Sequence, residues 1–193
     1  MTRRYRHLPS LDLVHGAFAL RCVEDDDIEP IRQWRNAQME VLRQAEAISP
    51  EAQRAYFDRA IWPQMELEKP ETILVTVLRD GEMIGYGGLV HCAWEHARAE
   101  ISILFSPAIV AQDREYWGCL MAFLAMIEEI AFDRLRFNRL TLETYAIRDF
   151  HIGVLEDAGY VLEGRLREHV WIAGEPADSL LHAKLASDQA FSG

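Results

Sequence analysis

With 193 residues, half of them hydrophobic and 26% charged, the chain has the size and composition of one domain with a full core. A net charge of −11 repels nucleic-acid phosphate and anionic lipid, so neither nucleic acid nor a membrane surface is expected as a partner, whereas an amine-bearing molecule is tolerated. Cys22, Cys92 and Cys119 suggest no disulfide framework, the N-terminus lacks the apolar core of a signal peptide, and no stretch approaches the ~18 apolar residues of a membrane span. The expected location is a reducing cytoplasm.

No repeat, low-complexity tract or linker divides the chain. Residues 18–186 are expected to form a single domain, with 1–17 as an N-terminal extension and 187–193 as a tail. Phe18 to Glu24 alternates as a strand does. Asp25 to Asn36 follows with acids in its first turn and Ile28, Ile31 and Trp34 at helical spacing. A second helix starts at Ser49 as N-cap with Pro50 in its first turn, and Pro63 limits its length. Asp80-Gly81 between two β-rich runs predicts a two-residue hairpin turn.

Arg98 to Ser106 reads as another strand, with Glu100 and Ser102 on one face and Ile101 and Ile103 on the other. From Tyr116 to Leu135 the apolar residues 116, 120, 123, 124, 127, 131 and 135 make an amphipathic helix. "RLTLET" is a strand, "RDFHIGVLEDAG" a helix ending at Gly159, and the remainder two strands around a turn at Gly174. The order β-α-α-β-β-β-α-β-α-β-β predicts an α/β fold, with a mixed, mostly antiparallel central sheet flanked by helices.

Four strings in that order carry a family resemblance. They are "IRQWRN" with "ISPEAQRAYF", "AEISILF", "IEEIAFDRLRFNRLTLET", and "VLEDAGYVLEGRLREHVWIAGEPADSLLHAKL". Together they resemble the acetyl-CoA-dependent N-acetyltransferases of the GNAT superfamily. The pattern is most similar to the branch acting on ribosomal-protein N-termini and amino-sugar nucleotides. The resemblance implies acetyl-CoA as cosubstrate, no metal, and a small-molecule or peptide amine as acceptor; the final hairpin offers a surface for a homodimer.

It also implies site residues. Glu100 aligns with a fourth-strand carboxylate that serves as general base; otherwise it makes an ion pair, to Arg98 or Arg165. In the family's cofactor turn Gly118 falls on the first pyrophosphate glycine, so Trp117, Gly118, Cys119 and Leu120 are expected at the cofactor, with Leu104 and Phe105 from the strand before it. That turn departs from the pattern, with Glu115 where a cation is expected, a large Leu120, and the extra "SPAIVAQD" upstream.

The usual thiolate-protonating tyrosine is replaced by Leu155, and Arg148 and His151 occupy the other positions of that motif. His151 or Tyr145 is then the proton donor, unless His151 is an interface histidine and Tyr145 a core cap. Arg148 is a phosphate ligand or a solvated helix start. Trp34, Arg35 and Asn36 are expected on the acceptor side, with Trp34 equally suited to the core. Tyr116 packs on the pantetheine arm or in the core. His91, Cys92, Glu95 and His96 match no zinc spacing, and "GYGG" lacks the helix of a dinucleotide turn. The expected activity is amine acylation from acyl-CoA. The alternative is a GNAT-fold binding or oligomerisation module without catalysis.

Overall fold

The computed structural model describes residues 3–42 and 44–191. Met1 and Thr2 of the expected extension, and Ser192 and Gly193 of the expected tail, lie outside the described residues. Eight strands form one sheet: β1 Leu13–His15, β2 Phe18–Cys22, β3 Ile73–Arg79, β4 Glu82–Ala93, β5 Arg98–Phe105, β6 Arg139–Tyr145, β7 Val161–Ile172 and β8 Glu175–Leu185. Their spatial order is β1-β2-β3-β4-β5-β6-β8-β7. Neighbours are antiparallel except β5 and β6, which run parallel. The helices are α1 Ile28–Ala37, α2 Pro50–Tyr56, α3 Pro107–Val110, α4 Asp113–Glu128 and α5 Asp149–Asp157. This is the mixed, mostly antiparallel α/β architecture expected from the residues.

Local chemistry explains most boundaries. Asp80 (φ 53°) and Gly81 (φ 84°) take the two left-handed conformations that a tight hairpin needs between β3 and β4. The Ser49 hydroxyl accepts from the Ala52 amide at 3.1 Å, capping α2. Gly159 (φ 85°) ends α5. In β4, a Cβ on Gly87 would lie 2.2 Å from the Ser102 carbonyl oxygen, so only glycine lets β5 approach there.

Two features were not local. The segment before residue 18 contributes β1, and its Tyr5 is buried, donating to the Thr72 carbonyl at 3.2 Å and accepting from the Leu74 amide at 2.7 Å. The first turn before α1 is pinned by a buried carboxylate. Asp27 accepts from Arg21 at 2.7 and 2.8 Å, from the Thr76 hydroxyl at 2.7 Å and from the Glu24 amide at 2.8 Å. Burial alone would raise the Asp27 pKa; these donors outweigh it and hold the carboxyl below its usual range. The network ties α1 to β2 and β3 and so fixes where α1 presents Arg35.

Candidate active site

The parallel pairing of β5 with β6 runs only through Arg98↔Arg139, Ala99↔Leu140 and Glu100↔Thr141. Beyond Glu100 the two strands part, while β5 continues to Phe105 and β6 to Tyr145. Alternate backbone groups of β5 therefore turn into the opening rather than into a ladder. The opening holds a cavity of about 260 Å³, with Glu100, Ser102 and Leu104 on one wall and Glu143 and Tyr145 on the other. Glu143 also lies 3.6 Å from His169 of β7. Arg148 and His151, from the start of α5, complete the lining.

On the α4/α5 side three side chains are joined. The Arg148 guanidinium donates to the Tyr116 hydroxyl at 3.1 Å, and that hydroxyl lies 2.5 Å from His151 Nδ1. Burial depresses the His151 pKa well below 6.5, helped by the charge of Arg148 and by His182. Burial likewise raises the Tyr116 pKa, against the pull of Arg148. The imidazole is thus neutral and accepts the phenol proton at Nδ1, which leaves its proton on Nε2. A buried ion pair stands behind this group: Lys184 of β8 donates to Glu128 of α4 and to the Ala158 carbonyl, both at 2.8 Å.

The opposite face, under α1 and α2, holds a second cavity of about 510 Å³. It shares Arg35, Val90, His91 and Ser102 with the first, so the two adjoin. Tyr56, Phe57 and Tyr86 supply aromatic walls, and the buried Gln53 supplies an amide. Arg35 donates to the Tyr86 hydroxyl at 3.1 Å and to the Gln44 side-chain oxygen at 3.2 Å. Burial raises the Tyr86 pKa, so this partner is a neutral phenol.

A sheet parted between two parallel strands, with two adjoining cavities at the opening, accords with the sequence comparison. The profile of the acetyltransferase (GNAT) domain matches residues 20–181. The chain belongs to the GNAT acetyltransferase family. Solved structures share its fold. The spermidine N-acetyltransferase from Vibrio cholerae in complex with CoA and spermine superposes with a TM-score of 0.79 at 19% identity, covering 91% of this chain and 99% of that one. A dodecameric structure of the Vibrio cholerae enzyme in an intermediate state gives 0.75 at 18%, covering 92% and 98%. A putative acetyltransferase gives 0.69 at 17%, covering 94% and 90%. No curated protein matches the chain.

Within this GNAT fold, the residues read from the sequence separate into those that meet at the opening and those that do not. Glu100, Leu104, Tyr145, Arg148, His151 and Arg35 line the first cavity. Arg165 pairs with Asp178 at 2.7 Å. Trp34 packs against the core, while Asn36 accepts from the Gln44 side chain and the Ile48 amide and so anchors the loop after α1. Phe105 is buried, and its carbonyl accepts from the Gln38 side chain at 2.9 Å.

The turn expected around Gly118 is corrected. The extra "SPAIVAQD" stretch folds into α3 and lets α4 begin at Asp113. The Tyr116 amide already bonds to the Gln112 carbonyl at 2.8 Å. Gly118, Cys119 and Leu120 therefore lie in the second turn, past the free first-turn amides of an α-helix. Cys119 and Leu120 are core residues. The free amides are those at the α4 start, where Asp113 and Glu115 put negative charge. Glu115 is met by Arg79 of β3 at 3.4 Å. Trp117 is exposed, with its indole N–H donating to Asp157 at 3.1 Å, and Phe150 and Ile147 are exposed at the start of α5 and just before it.

The sequence reading missed Glu143, whose period-two alternation with Thr141 in "RLTLET" puts it on the same sheet face as Glu100. It also missed Gln53 and Tyr86, which carried no sequence signal. Among the described residues no helix is long and apolar enough to cross a membrane.

Proposed function

We propose that the protein transfers an acetyl group from acetyl-CoA to a primary amine by direct attack. The observation that carries this reading is the parting of β5 from β6 just beyond Glu100, which sets a carboxylate in the first of two adjoining cavities. Acetyl-CoA supplies the acyl thioester. Its fit rests on the opened strands, on Arg148 in the cavity lining, and on the exposed apolar side chains Trp117 of α4 and Phe150 of α5. The Leu104 and Phe105 backbone and Arg148 would hold it, with Trp117 against its apolar arm.

The chain's own groups then manage protons. Glu100 accepts the proton of the attacking amine. His151 carries a proton on Nε2 for the departing sulfur and recovers one at Nδ1 from Tyr116, whose phenolate Arg148 stabilises. Tyr145 is the competing donor. Tyr116→Phe and Tyr145→Phe separate them, the true donor being the one whose loss lowers turnover and removes the alkaline limb of the pH–rate profile.

The acceptors consistent with the family are a protein N-terminus, an amino-sugar nucleotide or a small amine; the similarity to a spermidine N-acetyltransferase supports the small amine. β7 is an open sheet edge whose Trp171 is 74% exposed, which supports a homodimer through the final hairpin. Sedimentation as a monomer at high concentration would remove that part.

The acidic α4 start favours a second reading, a GNAT-fold binding or oligomerisation module without catalysis. Thermal shift with acetyl-CoA and thiol release over an amine panel decide between them. A shift with turnover supports the enzyme, a shift without turnover supports the module, and neither response sinks cofactor use altogether.

A further inference from the structure

We infer that the acceptor is an amine that also carries an oxyanion, a carboxylate or a phosphate, and that Arg35 and Gln53 recognise it. The inference rests on the acetyltransferase reading and names its acceptor class. The second cavity would have to favour cations to hold a polyamine, since two or three ammonium groups need carboxylate or carbonyl partners once desolvated. Its described lining contains no Asp or Glu, and its one permanent charge is the Arg35 guanidinium.

No carboxylate among the described residues hydrogen-bonds that charge, although Glu100 and Glu143 line the adjoining cavity with it. The Arg35 hydrogen-bond partners, the Tyr86 hydroxyl and the Gln44 amide oxygen, are both neutral and engage Nη1 and Nε. Among the described residues Nη2 makes no hydrogen bond, so one edge of the fork remains for a ligand.

Gln53 is the second, independent observation. The residue is 3% exposed and lines the same cavity, and its amide is not among the buried polar atoms cut off from a partner, so it reaches the open space of the cavity. An amide open to the cavity is hydrated there, and a ligand that displaces that water must replace its hydrogen bonds. An oxyanion on Arg35 with a polar oxygen near Gln53 satisfies both. Arg35 also lines the first cavity with Glu100, so an oxyanion there leaves the amine of the same molecule at the carboxylate. Tyr56, Phe57 and Tyr86 then cover the apolar body of the molecule.

The test uses the full chain with acetyl-CoA and matched acceptors. They are phenylalanine against phenethylamine, glucosamine 6-phosphate against glucosamine, and spermidine. We expect kcat/KM at least tenfold higher for one oxyanion-bearing member than for its neutral partner and for spermidine, and the favoured pair tells carboxylate from phosphate. Arg35→Gln should erase that ratio mainly by raising KM, and Arg35→Lys should restore part of it.

If Arg35→Gln fails to fold, Gln53→Leu serves, with an expected several-fold rise in KM for the favoured acceptor. Preference for spermidine or the neutral partners, or a ratio unmoved by both variants, overturns the inference while acetyl transfer stands. If no amine turns over, thermal shift by phenylalanine and glucosamine 6-phosphate decides. A shift abolished in Arg35→Gln keeps the anion site and fails the enzyme reading; no shift with either overturns the site.

Discussion

The two walls of the opened sheet are built differently. On the α4/α5 side three polar contacts tie the elements together: Lys184 meets Glu128, Tyr116 meets His151, and Arg148 closes on Tyr116, while the buried His182 ring and Tyr160 hydroxyl make no hydrogen bond among the described residues. On the α1/α2 side Asp27 is satisfied far from the cavity, whereas Arg35 keeps an unused donor and Gln53 an amide facing open space. The wall crossed by the Lys184–Glu128 and Tyr116–His151 contacts sets stability and proton placement. A wall whose groups wait for partners sets what is bound.

Glu100 lines the first cavity, beside the shared residues Arg35 and Ser102, and its loss should have the largest effect. Glu100→Gln is expected to lower turnover by about 10²–10⁴-fold with cofactor binding intact, measured as thiol release and by thermal shift. Unchanged turnover would move the base elsewhere, and Glu143 across the opening is then the first residue to test.

Next comes the paired wall. Lys184→Met strands the buried Glu128 carboxylate and should lower stability by about 3–5 kcal/mol in denaturant melts, and adding Glu128→Leu should recover much of the loss. A single variant near neutral would mean that this wall is not held by its ion pair.

A pH series probes the same side. His151 has a folded pKa below its usual 6.5, so only the unfolded chain gains a proton there as pH falls. Its contribution to stability is complete above about pH 6.5 and is lost below it, by up to about 1.4 kcal/mol per pH unit. Asp27 also has a depressed pKa, but that stability is present above the usual carboxylate range and lost at lower pH, so the two act in different windows. His151→Asn should flatten the slope just below pH 6.5. If the slope is unchanged, the buried neutral imidazole is not its source.

The smallest effect belongs to the binding wall. Ser49→Ala removes the α2 cap and should cost about 1 kcal/mol, and because α2 carries Gln53, Tyr56 and part of the second cavity it should weaken acceptor binding more than cofactor binding. An equal effect on both would blur the distinction between the walls.

Much of this was legible along the chain. The Asp80-Gly81 turn, the Ser49 cap, the Gly159 stop and the alternation that exposes Glu100 all follow from a few neighbouring residues, because backbone dihedrals and capping bonds are settled locally. Arg35 and His151 were identified by a residue pattern, and both line the opening. Gly118 falls past the helix start because the short α3, which the local pattern does not signal, moves that start upstream.

What the sequence by itself determined was therefore the order of elements, their local turns and caps, and which strand carries a carboxylate. Tertiary structure decided the rest. The parting of β5 from β6 is a property of how two strands far apart in the chain are registered. Tyr116 meets His151 across 35 residues, and Arg35 meets Tyr86 across 51. Such contacts form only when packing brings distant segments together, and no spacing within one segment encodes which donor will be left over for a ligand.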